Sequence, residues 1–539
     1  MIPVGPLRSL PLGCLLGATL LGLAACSRPS PPPATERVLR VSQRNEPATL
    51  DPQLATLPDE FFIIRAVGEG LLVPAPGSGD TPPLPGVAES WTVSDDGCTY
   101  TFHLRAGARW SNGDPVTAVD FAYSVQRALT PALGAPKAAL FFGLKHAAAY
   151  HAGRVTDFSA VGVRVINPRT LQLELEHPAA DFPVTVASGP WIPVHRATVE
   201  RFGAMDQRDN PWTKPGHHVG NGPFTLSGWL PAQEIAVRRH AGYWDSARVK
   251  LDGIRFLVFD NGDTEERAFR AGQVDVTMAV PFSKLAGYRA AQPSPLRTAP
   301  LHETRYLALN TERAPLDLPA VRRALSLALD RSALVEKVLQ GGQHPAYSFL
   351  PPGLGGYQDA DRITEDAAEA RRLLAEAGFP GGAGFPVLEV TSWWASSAVL
   401  EAIQQMWRRE LGIEVTLAQR EARAHLAAMA AGDYAIAFVT AIPDCNSVTD
   451  LLTDLTSGNP GNYPRWSNPD YDRLVTEGSR LNSASNRLAA YQAAERLLLA
   501  DSPVIPLYFN TQNFLVQPRV KVWQTDRLWT RFYKDVTLE

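Results

Sequence analysis

Between residues 387 and 442 the chain alternates strand and helix patterns with short connections. Residues 387–392 read as a strand and 397–411 as a helix stopped by Gly412. Residues 413–417 read as a second strand, 422–431 as a helix stopped by Gly432, and 434–442 as a third strand. Such alternation packs back on itself as a mostly parallel, doubly wound sheet. In sheets of that kind, ligands gather beyond the carboxyl ends of the strands. The last strand runs out through Ala441, Ile442 and Pro443 into Asp444. Asp444 is therefore a candidate ligand contact. A turn or capping aspartate for the following helix is an equally good reading of the residue type.

The first half has a different rhythm. Residues 38–43 form a strand pattern and 61–72 a helical one, before a Pro/Gly-rich boundary at 74–85. A period-2 strand follows, with Cys98, Tyr100, Phe102 and Leu104 on one face. Thr117 is placed to cap a helix running to Leu129, and strands are expected over 161–165 and 170–175. Residues 74–189 thus read as an α+β lobe. From Gly222 come strands at 224–229, 234–239 and 254–259, then a short helix with Asp263 as cap and Glu266 completing a capping box. Another strand is expected over 274–280. Helices over 318–339, interrupted at Asp330, and 366–377 lead into the alternating segment.

The amino terminus points to export. Arg8 is the only charge before residue 26, and the apolar run 9–25 ends in Leu23, Ala24, Ala25 and Cys26. A basic start and a short apolar stretch read as a secretory signal, and the run is shorter than a membrane span and broken by Pro11. Residues 23–26 resemble a lipobox, which implies cleavage before Cys26 and a diacylglycerol on its thiol. Residues 27–35 (SRPSPPPAT) are too proline-rich for a packed core and read as a stiff tether. Residues 1–25 are thus expected to be a signal peptide and 26–37 a lipidated tether. The remaining body of about 500 residues exceeds what one core organises, so two or three lobes are expected. The formal net charge is −4, or −5 once Arg8 is removed with the signal. A mildly acidic chain argues against a general nucleic-acid binder.

No catalytic signature survives inspection: there is no Gly-x-Ser-x-Gly, Walker A lysine, Gly-x-Gly-x-x-Gly or His-Glu-x-x-His. His217 and His218 are adjacent and read as surface-loop histidines, since neighbours in sequence do not chelate from one helix face. No metal or cofactor is expected.

Several segments together resemble one family. AESWTVSDDGCTYTFHLRAGARWSNGDPVTAVDFAYSVQRAL (88–129), GNGPFTLSGW (220–229), RRHAGYWD (238–245), the stretch 306–329 with Asn310, PDYDRLV (469–475) and the run 500–508 are similar, in order, to the periplasmic oligopeptide-binding proteins, solute-binding protein family 5. The resemblance implies an α/β, periplasmic-binding-protein-like fold. Two large lobes would flank a cleft in a type II bilobal hinge, with a third, inserted α+β lobe. Lobe I would be 38–73, 191–295 and 509–539, lobe II 74–190, and lobe III 296–508, with hinge crossings near 295 and 509. Cys98 and Cys445 would then lie in different lobes, which argues against a bridge between them. The resemblance also implies a monomer that is not an enzyme. It would bind peptides as extended strands and hand them to an ABC permease from the periplasmic or extracellular face. Thr56, Leu57 and Pro58 on one side, and Ala441, Ile442 and Pro443 on the other, match the family's peptide-contacting positions. Asp444 matches the aspartate that pairs with the ligand's α-amino group. Pro58 and Pro443 offer only carbonyls. Glu421 and Ala441 stand where the family has pocket-lining tryptophans, and Phe438 where it has a basic residue. Trp393 and Trp394 read as cleft-lining or as core. The alternatives are a family-5 binder of a metal chelate, haem or sugar, and a lipoprotein hydrolase.

Overall fold

A computed structural model describes residues 36–77, 81–358, 362–393 and 397–539, and Arg37–Glu539 form one unit. The signal, Cys26 and the proline tether up to residue 35 lie outside the described residues, as does Trp394. Among the described residues no helix is long and apolar enough to cross a membrane.

The alternating strand 99–104 sets the inserted lobe. Thr99–Leu104 buries Tyr100, Phe102 and Leu104 against Leu171 and Leu173 of Thr170–Glu174. The antiparallel sheet runs Ala88–Val93, Thr99–Leu104, Thr170–Glu174, Val163–Asn167. Helix Ala118–Leu129 covers it and starts at Thr117, whose N–H donates to Asp120 Oδ2 at 2.7 Å in a capping box. From this helix the fully buried Arg127 reaches Asp51 at 2.6 Å, tying the insertion to the segment before it.

A second sheet has the order Val38–Gln43, Gly253–Val258, Glu234–Arg239, Phe224–Leu230, with the first pair parallel. Two expectations need correction here. Residues 274–280 are not a strand: only Val276 bridges Val41 and Val516. Helix Gly262–Arg270 is capped by Asn261, which accepts from Asp263 and Thr264 N–H, not by Asp263. Asp263 instead sits in the first turn, where a negative charge favours the helix dipole. Glu266 is taken by Lys284 and Tyr288.

The alternating segment forms half of a six-stranded sheet. Its order is His344–Pro345, Val504–Leu515, Leu296–Leu309, Ile436–Ala441, Leu388–Ser392, Val415–Gln419. The last three are parallel, as the strand–helix alternation requires. The sheet as a whole is mixed, not mostly parallel, because the two long strands enter antiparallel. Both faces are covered: Ile436 and Phe438 belong to one core, Ala437 and Val439 to the other.

Those long strands carry the chain between cores. Ala299, Leu301, Phe514 and Val516 pack into the core of the second sheet. Leu307, Leu309, Ile505 and Leu507 pack into the six-stranded sheet. Their register breaks between Pro300 and Thr304. Glu303, fully buried at that break, accepts from Asn510 Nδ2 and Trp529 Nε1, each at 2.8 Å, and pairs with Arg305.

Candidate functional site

A cavity of about 300 Å³ lies where elements of the three large sheets meet. Its first wall is the start of helix Pro58–Val67, with Thr56, Leu57, Pro58, Phe61, Phe62 and Arg65. Glu60 holds that entry in place by accepting from the N–H groups of Thr56 and Leu57 at 2.8 and 3.0 Å. A second wall is the 184–190 segment of the insertion, and a third is the end of strand Ile436–Ala441 with Ile442, Pro443 and Asp444. Residues 526–530, including Trp529, complete it.

Six of the seven residues marked from the sequence therefore share one cavity. Ala441 does not line it. Strand residues alternate faces, and Thr440 and Ile442 take the cavity side while Ala441 packs against the opposite core. Phe438 is equally informative. It is 3% exposed inside the core and presents nothing to the cavity. Glu421 is an exposed helix cap, its carboxylate accepting from the N–H groups of Arg423 and Ala424. Trp393 does line the cavity, edge-on to His425 at 5.2 Å.

Asp444 does not cap the next helix, Val448–Thr453, where Ser447 holds that place. Its carboxylate forms an ion pair with Lys137, 307 positions away in the insertion. Its N–H donates to Asp450, whose carboxyl is pushed well up by burial and then by Asp444. Nothing in the sequence marks Lys137, because its partner lies 307 positions away in the chain. Beside this pair, Thr185 Oγ1 lies 3.9 Å from Cys445 Sγ and Ser447 Oγ donates to Asp181 at 2.5 Å, so insertion and strand end are in direct contact. Cys98 and Cys445 are free thiols.

His217 and His218 are half-buried rather than free on a loop surface, stacked on Phe202 and Trp212 at 4.1 and 5.7 Å. Burial pulls the His218 imidazole down to about 4. Among the described residues no group of three or more His, Cys, Asp or Glu side chains is arranged to hold a metal.

Residues 82–463 match the model of the bacterial extracellular solute-binding proteins, family 5. The chain is 32% identical to the periplasmic murein peptide-binding protein MppA of Escherichia coli, over 89% of this chain and 88% of that one. It is 31% identical to the periplasmic oligopeptide-binding protein OppA of the same organism, over 95% of both. It is 32% identical to YgiS, that organism's probable deoxycholate-binding periplasmic protein, over 91% of both. The solved structure of the murein tripeptide binding protein MppA superposes with a TM-score of 0.85 at 30% identity, covering 94% of this chain and 99% of that one. The unliganded open form of that protein gives 0.72. The arrangement of three large sheets around this cavity is thus the type II periplasmic-binding fold, and the chain belongs to the family-5 extracellular solute-binding proteins, which bind and do not catalyse.

Proposed function

We propose that this chain is a lipid-anchored, extracytoplasmic receptor that captures peptides with a free amino terminus for an ABC permease. The observation that carries the reading is Asp444, a carboxylate on the cavity wall at a strand's carboxyl end, with Asp450 directly behind it. A ligand ammonium brought there gains a charge-assisted contact partly shielded from water. Lys137 holds the position until the ligand arrives. Thr56 to Pro58 on one wall and Ile442 and Pro443 on the other offer backbone groups to an extended peptide, the mode in which main-chain bonds supply affinity independent of sequence. The names of MppA and OppA, both peptide-binding, support the same class. We assign lobe I to 38–73, 191–295 and 509–539, lobe II to 74–190 and lobe III to 296–508. The two long strands serve as the hinge, a known route to closure around ligands. Residues 1–25 are read as the signal, Cys26 as the lipidated residue, 26–37 as the tether, and the receptor as a monomer.

Calorimetric titration of tri-alanine and N-acetyl-tri-alanine into the wild type and Asp444→Ala tests the amino-terminus role. Free tri-alanine should bind more tightly than its acetylated form, and D444A should erase the difference. Equal affinities in the wild type would sink it. For the anchor, Cys26→Ser should move the protein from the membrane to the soluble envelope fraction.

One observation favours a second reading. The Lys137–Asp444 pair already neutralises the acid, and Phe61, Phe62, Trp393, Leu426 and Ile442 make the walls largely apolar. That combination suits an amphipathic organic acid, the class named for YgiS. Tight binding of deoxycholate with no heat from tri-alanine would select it.

A further inference from the structure

The same cavity holds cationic and hydroxyl groups that the amino-terminus reading leaves unused. Arg65, in the last turn of helix Pro58–Val67, lines it and donates only to the carbonyl of Ala187, at 3.3 and 3.4 Å. No carboxylate lies within ion-pair distance of Arg65 among the described residues. Burial draws its guanidinium down to about 10, and the charge of Asp526 offsets part of that shift. Asp526 itself is occupied by the N–H groups of Leu528 and Thr530 at 2.8 Å. A guanidinium carries five donors, so most of those on Arg65 remain available.

The residue after Ala187 is Ser188. It lines the same cavity, is 3% exposed, and its Oγ has no hydrogen-bond partner. Ser188 precedes the short turn Gly189–Trp191, yet its hydroxyl does not cap it. Buried hydroxyls are almost always satisfied, and one that is not calls for an explanation. Close packing brings the two groups together. A Cβ on Gly189 would fall 2.2 Å from the ring of Phe61, so only glycine lets this segment lie against the helix that carries Arg65. Arg527, from the 526–530 wall, adds a second cation to the lining, and its side chain has no partner among the described residues.

We propose that Arg65 and Ser188, assisted by Arg527, form a carboxylate-binding subsite in this cavity. A carboxylate accepts from both the guanidinium fork and the hydroxyl, giving Arg65 an anion and the buried Ser188 hydroxyl the partner it lacks. The subsite deepens the peptide reading: the ligand carries a carboxylate as well as an ammonium, and is short. The cavity sits at the lower end of the range for small-molecule sites, which is about 300–1,000 Å³.

The test compares tri-alanine with its C-terminal amide by titration calorimetry, in the wild type and in Ser188→Ala, Arg65→Gln and Arg527→Gln. Amidation should weaken wild-type binding about tenfold or more, the factor set by about 1.4 kcal/mol. In S188A and R65Q the penalty should fall below about threefold, and R527Q should lie between. S188A removes an unsatisfied hydroxyl, so its melting temperature should stay level or rise while the penalty shrinks; a purely structural serine does not behave so. An amide of Ala-Glu-Ala separates a chain-terminal carboxylate from a side-chain one: recovery of affinity identifies the side chain as an acceptable source. The proposal is overturned if amidation costs nothing in the wild type, or the same in all variants. If no tri-alanine peptide binds, the peptide reading fails, and a propionate titration against chloride decides the subsite alone. A rise in wild-type melting temperature that is absent in S188A upholds it. No rise, or an equal rise in both, overturns it.

Discussion

Replacing Lys137 with glutamine tests how the insertion and the strand end share one charge. Lys137 pairs with Asp444, the side chains being 18% and 29% exposed. Two unit charges at about 4 Å attract by about 4 kcal/mol at an effective dielectric near 20. Much of that is spent on desolvation. An exposed pair nets about 0–1 kcal/mol, and removing one partner of a fully buried pair costs about 3–5. A half-shielded pair falls between, at about 1–2 kcal/mol. A free peptide ammonium must displace or share Lys137, so K137Q should strengthen its binding by about that amount, roughly tenfold. An acetylated peptide leaves Lys137 in place in the wild type. In K137Q it buries Asp444 without a cation and should lose about 1–3 kcal/mol. The ratio of free to acetylated affinity should therefore widen by about 30-fold or more, read by calorimetry at low and at 0.5 M salt. Because the pair is partly open to solvent, high salt should narrow the change. An unchanged or narrower ratio at low salt would show that Lys137 does not compete for Asp444.

Three further outcomes follow from the described contacts. His218 is held neutral by burial at about 4, below an unfolded value near 6.5. Between those values only the unfolded chain takes the proton, so stability falls as pH drops from 6.5 towards 4. Denaturant melts at pH 7 and 5 should show a loss of about 2 kcal/mol at most in the wild type beyond that of His218→Phe, which keeps the stack on Trp212. Asp450 is raised, so the native state retains a proton that the unfolded carboxyl releases, and stability declines as pH rises above about 4 until Asp450 ionises. Asp450→Asn should be at least as stable as wild type at pH 7, whereas Asp450→Ala, which strands the Asp444 N–H, should lose about 1–3 kcal/mol. Arg127→Met breaks the buried pair with Asp51 and should cost about 3–5 kcal/mol in equilibrium unfolding; the double variant with Asp51→Leu should recover much of it.

Local elements were legible where one face of an element is solvated. The strand at 99–104 announced itself by alternation, because its sheet buries one side and wets the other. Helix Ala118–Leu129 was readable from Thr117, since capping is a local property, and the structure adds Asp120 as the other half of a capping box. The cap at Asn261 was misassigned because Asn261 and Asp263 both suit the position, and only backbone geometry separates them. Strand Ile436–Ala441 was found, but not its phase. Its sheet is buried on both faces, so a continuous apolar run carries no sign of which residues face which core. Ala441 was marked through the family resemblance alone, and the fold turns it to the opposite core while Thr440 takes the cavity side.

The amino-acid sequence by itself determined the succession of strands and helices, the parallel half of the large sheet, and an acidic residue at a strand's carboxyl end. These depend on periodicity and on residues close together in the chain. Only the tertiary structure decided that Lys137 meets Asp444, that Ser188 and Arg65 line one cavity, and that two long antiparallel strands join the cores. Those contacts are made between side chains separated by more than a hundred residues, and their partners are chosen by how the cores pack together. Local propensity holds no record of that choice.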